Sequence, residues 1–366
     1  MHLAELIGLR PVRCAGLLVT LTRRCPLSCA HCSTGSTMAG EEPSAEQLLR
    51  FVGSFTPDDR PEAVLLTGGE PLLLPGLAAR LAAAARRAGT RSVLLSGMFF
   101  ARRERIPARI MRAITAVDHF SASLDAFHER EVPRADVFRA VRQVLDSGVA
   151  ASFHLAGTGP DDPYLADATA DIRRAFGGQV PMLVNEVRPV GRAAAWAAAA
   201  RPQLDGSRAL PCSMAAWPVV AFDGTVLACC NQQTVDRRPA PEHLTLGHIA
   251  SDDWASVRRR ALGSPTLRMI RTVGPLHLLA RAGAERPAEG RPGGYCSTCR
   301  ALGDRPEALA GAARDASGLV GELLDREAER RQAGAGPAEL VRRHGSAAYA
   351  DLVTLAQDRP AEAAHR

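Results

Sequence analysis

The chain has 366 residues and is 46% hydrophobic, so it can build a large core and is about twice the size of a usual single domain. Its formal net charge of +6 is spread over Ala- and Arg-rich stretches, which reads as a solvated basic surface and argues against a nucleic-acid partner. With nine cysteines, no signal peptide and no apolar run near the ~18 residues of a membrane span, a disulfide-stapled secreted or membrane protein is disfavoured, and metal-bound thiolates in a cytoplasmic setting are expected.

AGLLVTLT (15–22) is an apolar run suited to a buried strand and feeds directly into the cysteine loop RRCPLSCAHC (23–32). EAVLLTGGEP (62–71) repeats the arrangement and is followed by the helix LAARLAAAARRAG, ending at Gly89. Further strands are expected at 91–97, 119–125, 149–155 and 180–189, with helices around 106–115, at 135–148 and over 165–175. Six strands alternating with helices predict an α/β fold: a parallel sheet closed or partly closed as a partial (β/α)6 barrel, with an open doubly wound sheet as the competing arrangement. After Gly191 the pattern changes. A helix and linker are expected first, then the hairpin VVAF/TVLAC around a two-residue Asp223-Gly224 turn. Residues 282–294 read as a loop, and beyond 305 one or two helices precede a frayed tail to which no chemistry is assigned. The expected units are 1–195, 196–305 and 306–366, the second a small hairpin-containing domain.

Cys25-x3-Cys29-x2-Cys32 is spaced like ligands of an iron–sulfur cube, but three thiolates leave one iron open. An open iron is a place for a substrate or cofactor to attach. By spacing alone, zinc and unliganded thiols stay in play. His31 lies inside this loop, and its ring is expected to pack over the cluster.

The three-cysteine loop after the first strand resembles the signature of the radical S-adenosylmethionine enzymes. The resemblance implies that the amino and carboxylate groups of S-adenosylmethionine chelate the fourth iron of a 4Fe–4S cluster. It further implies that Gly68, Gly69, Glu70 and Pro71, by backbone and acidic side chain, hold the methionine amino group. Ser96-Gly97 stands where such enzymes often have Thr-Asn-Gly, and is the expected ribose contact. Ser121, Ser123 and Asp125 share one strand face by alternation and resemble the polar strand end beside the cofactor. Asn185, Glu186 and Arg188 end the sixth strand, and Pro189-x-Gly191-Arg192 resembles an exit loop.

Cys212-x11-Gly224-x4-Cys229 with Cys296-x2-Cys299 resembles the twitch domain, a shortened relative of the SPASM domain. This implies a second 4Fe–4S cluster with all four positions closed by Cys212, Cys229, Cys296 and Cys299. Cys14 reads as a buried small hydrophobe. Cys230 is left as a ligand in place of Cys229, a packed thiol or a hydrogen-atom donor to the substrate.

The implied function is generation of a 5'-deoxyadenosyl radical that abstracts hydrogen from a small, sugar-derived, aminoglycoside-like natural product, giving epimerisation, oxidation or dehydration. Cys230, Asp125 and Glu186 are the catalytic candidates, and a flavodoxin or ferredoxin is the expected reductant. A cationic aminosugar would need pocket carboxylates, for which Asp125, Glu186, Asp118 and Glu129 are available. The alternative is a peptide-modifying enzyme acting on a precursor peptide. About a dozen residues precede the first strand, too few for the leader-binding winged domain of many such relatives. A non-catalytic iron–sulfur carrier or structural zinc protein is the remaining reading.

Overall fold

A computed structural model of the chain describes residues 1–197, 209–282 and 294–357. The expected linker helix and the expected loop at 282–294 fall largely outside these residues, as does the end of the tail. Nine strands form one sheet: β1 (Gly16–Thr20), β2 (Ala63–Thr67), β3 (Arg91–Ser96), β4 (His119–Ser123), β5 (Ala150–Gly157), β6 (Met182–Glu186), β7 (Val219–Val220), β8 (Thr225–Leu227) and β9 (Thr245–His248). Their order is β6-β5-β4-β3-β2-β1-β7-β8-β9, with β1 to β6 parallel in sequence order. Sequential order has no reversal point, which separates it from a doubly wound sheet. The first six strands and their helices make a barrel-like wall that stays open between β6 and β7.

Alternation along the strands makes two faces. Leu17, Val19, Val64, Leu66, Leu94, Phe120, Ala122, Phe153 and Val184 are buried on the outer face. The helices Pro75–Arg87, Arg134–Asp146 and Pro163–Ala175 cover that face with their own buried rows, such as Leu81, Ala82 and Ala85 or Val137, Val141 and Val144. These rows recur at three- and four-residue intervals, as an amphipathic helix requires. The inner face carries Leu18, Thr20, Leu65, Thr67, Val93, Leu95 and the polar residues of β4 to β6, all lining a cavity.

β7 pairs parallel with β1 (Leu18↔Val219) and antiparallel with β8, which pairs with β9. The turn between β7 and β8 spans Ala221 to Gly224, not two residues. Val220 pairs with Val226, Ala221 N–H donates to Thr225 O (2.9 Å), and Gly224 N–H donates to Ala221 O (3.0 Å). The sheet thus runs without a break from the barrel wall into the segment expected as a separate unit. Cys14 is 3% exposed and packs in the core.

The chain beyond 305 is better ordered than its composition suggests. It forms the helices Pro306–Ala316, Gly318–Gly334 and Pro337–His344 and a 3-10 stretch, Ala347–Thr354. Asp325 is buried and holds the second helix down by pairing with Arg271 (2.6 Å) and Arg13 (3.2 Å). The third helix sends Val341 into a cluster with Leu3, Leu6, Ala63, Val93 and Trp217, and Ser346 N–H donates to Val184 O (2.9 Å) at the free edge of β6. This helix covers the open side of the wall. No described helix is long and apolar enough to cross a membrane.

Removing one member of a buried ion pair strands the other charge, at a cost of about 3–5 kcal/mol. Asp325→Asn is therefore expected to lower unfolding free energy by that order in urea melts. Glu329→Gln, whose pairing with Arg13 is nearer the surface, should cost about 1 kcal/mol or less.

Candidate functional site

The cysteine loop leaves β1 and is clamped from two sides. From β2, Gly69 N–H donates to Thr22 O (2.6 Å) and Glu70 N–H to Arg24 O (2.8 Å). A Cβ on Gly69 would sit 2.3 Å from the Arg24 carbonyl oxygen, so this glycine is required by backbone contact with the loop itself. From the segment after β6, Gly191 (φ +57°) touches the loop so closely that a Cβ would lie 2.3 Å from the carbonyl oxygens of Cys32 and Ser33. Next to it, Arg192 donates from its backbone to Cys32 O (2.9 Å), from Nε to Cys29 O (2.8 Å) and from Nη1 to Ser36 O (2.7 Å).

Cys25, Cys29 and Cys32 all line the cavity, and none is in a disulfide. Burial pushes the Cys25 thiol up to about 12, and Glu70 and the other two cysteines push the same way. Cys32 is also raised by burial, but hydrogen bonds with Thr34 and Ser36 and the charge of Arg192 outweigh it and hold it below the usual value. Such a group of thiols is best satisfied by a metal, whose charge keeps thiolates ionised. The donor set therefore fits the cluster that the spacing implied.

Glu70 does not reach the cavity. It is fully buried and caps the turn Pro71–Leu73, accepting from Leu72 N–H (2.9 Å), Gly97 N–H (2.9 Å) and the Ser96 hydroxyl (3.0 Å). Burial raises it to about 7 against these hydrogen bonds. Ser96 and Pro71 are likewise buried away from the cavity, which is lined there by Gly68, Gly69 and Gly97. The Glu70 and Ser96 side chains thus brace these turns from within.

Asp125 is also committed. Its Oδ1 accepts from the backbone of Phe127 and His128 (3.0 Å each), and its Oδ2 lies 2.8 Å from His128 Nδ1 and 3.2 Å from His31 Nε2. Burial would raise it, but the two histidines overcome this and hold it far below the carboxylate range. His31 stacks on Phe127 (4.6 Å), so its ring is fixed by an aromatic and a carboxylate. Ser121, Ser123 and Asn185 do face the cavity, as does His154, whose Nε2 accepts from Asn185 Nδ2 (2.8 Å). Burial lowers His154 to about 4, keeping it neutral. Of the other carboxylates, Asp118 accepts from Ser92 and Glu129 from Tyr164 and Arg134, both away from the cavity lining. Glu186 is exposed at the cavity edge.

Cys212, Cys229, Cys296 and Cys299 form a second group. Cys296 and Cys299 are one turn apart on the helix Tyr295–Ala301. Cys212 N–H donates to Ile270 O (3.0 Å), and Cys229 follows β8. Burial raises Cys212 to about 11 and Cys229 to about 12, and neighbouring thiolates add to both. Cys299 is raised by burial and then by Cys229, Cys212 and Cys296. Because β8 ends at Leu227, strict alternation no longer governs the next residues. Cys230 lines the cavity, whereas the other four do not. It still interacts with Cys212, Cys229 and Cys296.

The cavity, about 630 Å³, thus runs from the three-cysteine loop to Cys230. Arg10, Arg188 and His344 line it near that end. Arg188 donates to His344 O (3.2 Å), and its charge acts on Cys296, which places it toward the second cysteine group. The final helix, given no chemistry from its composition, supplies Leu340, Val341 and His344 to this lining. His128 could have been found from Asp-x-x-His at a helix start, and His154 from strand alternation. No local signal points to Arg10 or His344.

Residues 19–172 match the model of the Radical SAM superfamily. Over 127 residues the chain is 32% identical to the PqqA peptide cyclase of Granulibacter bethesdensis, a match covering 33% of this chain and 31% of that protein. The chain therefore spans about a third of that curated relative's length. Similar solved structures include Streptococcus suis SuiB bound to S-adenosylmethionine (TM-score 0.49, 10% identity, 73% of this chain and 74% of that one). Another is anSMEcpe with bound AdoMet and Cp18Cys peptide (TM-score 0.44, 12% identity, 90% and 98%). A third is BtrN in complex with AdoMet and 2-DOIA (TM-score 0.39, 13% identity, 71% and 87%).

Arg192→Gln removes the guanidinium contacts that tie down the cysteine loop. In protein whose Cys296 and Cys299 are both changed to Ala, it is expected to lower the metal retained by Cys25, Cys29 and Cys32 severalfold. Metal analysis after anaerobic loading measures this, with circular dichroism checking that the fold persists.

Proposed function

Since the chain carries a radical SAM superfamily domain at residues 19–172, we propose that it is a radical S-adenosylmethionine enzyme that modifies a peptide. The observation that carries this reading is the placement of Cys25, Cys29, Cys32 and Cys230 on one cavity. The first three cysteines would hold one 4Fe–4S cluster, and Cys212, Cys229, Cys296 and Cys299 a second of the twitch type. With S-adenosylmethionine bound, the first cluster would pass it one electron from the reductant and so supply a 5'-deoxyadenosyl radical able to take a hydrogen atom from an unactivated carbon.

The chain's own residues bind and orient. The backbone of Gly68, Gly69 and Gly97 and the polar side chains of Ser121, Ser123 and Asn185 face the space beside the three cysteines. Neutral His154 adds a donor or acceptor there without charge. Asp125 acts as a positioning residue through His31 and His128, and Arg192 holds the loop rigid. Cys230 is the hydrogen-atom donor to the substrate radical, and the thiyl radical it leaves is returned to the thiol by one electron from an external reductant such as flavodoxin or ferredoxin and one proton from solvent. The outcome is epimerisation.

A peptide is favoured over an aminoglycoside-like sugar on two grounds. The curated relative is named as a peptide cyclase. A cationic aminosugar also needs free carboxylates, and of the four candidates Asp118 and Glu129 point elsewhere and Asp125 is spent on two histidines, which leaves Glu186 alone at the cavity edge. A structural zinc protein or a simple electron carrier has no use for a cavity of about 630 Å³ running from the three-cysteine loop to Cys230.

Anaerobic reconstitution is expected to give about eight iron atoms per chain. Dithionite-reduced protein should cleave S-adenosylmethionine to methionine and 5'-deoxyadenosine, and Cys29→Ala should not. Fully loaded protein that forms no more product than this variant would rule out the radical reading.

Cys230→Ala should keep both clusters and still form 5'-deoxyadenosine, but lose hydrogen return to the substrate. In D2O the wild type should place deuterium at the altered carbon, since a thiol exchanges its hydrogen with solvent. Loss of the second cluster's signal in this variant would instead make Cys230 a ligand.

A further inference from the structure

We propose that Arg10 and Arg188 form a carboxylate-binding subsite at the Cys230 end of the cavity, so that the substrate presents a carboxylate beside that thiol. This names the substrate class of the enzyme proposed above and rests on that reading for its function.

The arginines that the fold buries are satisfied either by acids or by backbone carbonyls, as Arg268 is by Leu262, Ala316 and Gly318. Arg271 and Arg13 pair with Asp325, and Arg134 with Glu129, Asp167 and Asp171. Arg10 departs from this habit. Its guanidinium lies over the Trp217 ring (4.5 Å), and Nη2 donates to Met214 Sδ (3.2 Å) and Cys230 Sγ (3.5 Å). Thioether and thiol sulfurs are weak acceptors, and a guanidinium has five N–H donors. Arg188 donates only to the His344 carbonyl. Among the described residues neither arginine has a carboxylate within ion-pair distance.

Among the described residues two acids line the cavity, Asp125 and Glu186, and neither pairs with Arg10 or Arg188. Asp125 is held by His31 and His128, and Glu186 stands at the exposed edge. Arg192 is spent on the cysteine loop. The excess positive charge is felt by His344, which burial lowers below its usual value and which Arg188, Arg343 and Arg10 lower further. Arg10 is half-buried, and such a cation without a counter-charge is costly unless a partner arrives, whereas Arg188 is exposed and free to reach one. The planar fork, already oriented by stacking on Trp217, suits the two oxygens of a carboxylate. In a peptide that group is an acidic side chain or the C-terminus.

Cys230 is itself the reporter. Holoprotein carrying both clusters and saturating S-adenosylmethionine is alkylated with iodoacetate or iodoacetamide, and the rate at Cys230 is followed by mass spectrometry, with glutathione as reference. Both reagents attack through the thiolate, so their rate ratio cancels any change in thiol ionisation. At Cys230 the iodoacetate-to-iodoacetamide ratio should exceed that of glutathione by about tenfold, on the order of one favourable charge contact. It should fall to the glutathione value in Arg10→Gln with Arg188→Gln, and stay high in Arg102→Gln, an exposed arginine outside the lining. A wild-type ratio equal to that of glutathione overturns the proposal.

If Cys230 resists both reagents, thermal melts at fixed ionic strength decide. Stabilisation by succinate over succinamide that the double variant abolishes supports the subsite, and equal shifts overturn it. Greater stabilisation by inorganic phosphate than by succinate overturns the carboxylate in favour of a phosphoryl group. None of these measurements needs turnover, so a failure of radical chemistry and a failure of the subsite are read separately.

Discussion

The pairing of β1 with two partners is the constraint on which the rest depends. One edge of this five-residue strand takes β2 and with it the barrel wall, and the other takes β7 and with it the antiparallel strands. The second edge is made by Leu18 and Val19 against Val219 and Val220, with Cys14 N–H donating to Ala216 O (2.8 Å) before the strand begins. Trp217 packs flat over Gly16, where a Cβ would meet its ring at 2.2 Å. Since β7 runs parallel to β1 and β8 returns antiparallel, the chain comes back to the start of β1 just as it reaches Cys229. The two cysteine groups therefore lie toward opposite ends of β1. The cavity lies along that strand.

Much of this arrangement was legible because it follows from local periodicity. Period-two alternation identifies the inner face of β4 from Ser121 and Ser123, and long apolar runs identify the central strands. What periodicity does not carry is partner choice. Val219 and Val220 form only a two-residue strand, and nothing in their composition says that they join β1 in parallel and extend the barrel sheet. Nor does the Ala- and Arg-rich composition after 305 disclose a docked structure. There the information sits in single distant pairs such as Asp325 with Arg271, or the hydrogen bond from Ser346 to Val184.

The site divides in the same way. Spacing alone drew attention to Cys25, Cys29 and Cys32, whereas Cys212, Cys229, Cys296 and Cys299 are too dispersed in sequence for spacing to group them, and a resemblance did so. The polar residues around them were assigned by type, which does not carry burial. Glu70 and Ser96 have the chemistry to meet a ligand, and their side chains lie beneath the cavity lining. Asp125 reaches the cavity but spends its charge on two neighbours. Arg192, whose side chain and backbone together make three bonds to the cysteine loop, is an ordinary arginine after a glycine until those carbonyls are seen around it.

The helix Pro337–His344 fills the open side of the wall with residues that lie far from the rest of the cavity in sequence. Both cysteine groups are complete by residue 299, whereas this helix follows some forty residues later. During synthesis, then, every thiol leaves the ribosome before the side of the cavity can be shut. Chain order thus places all the thiols ahead of the element that walls them in.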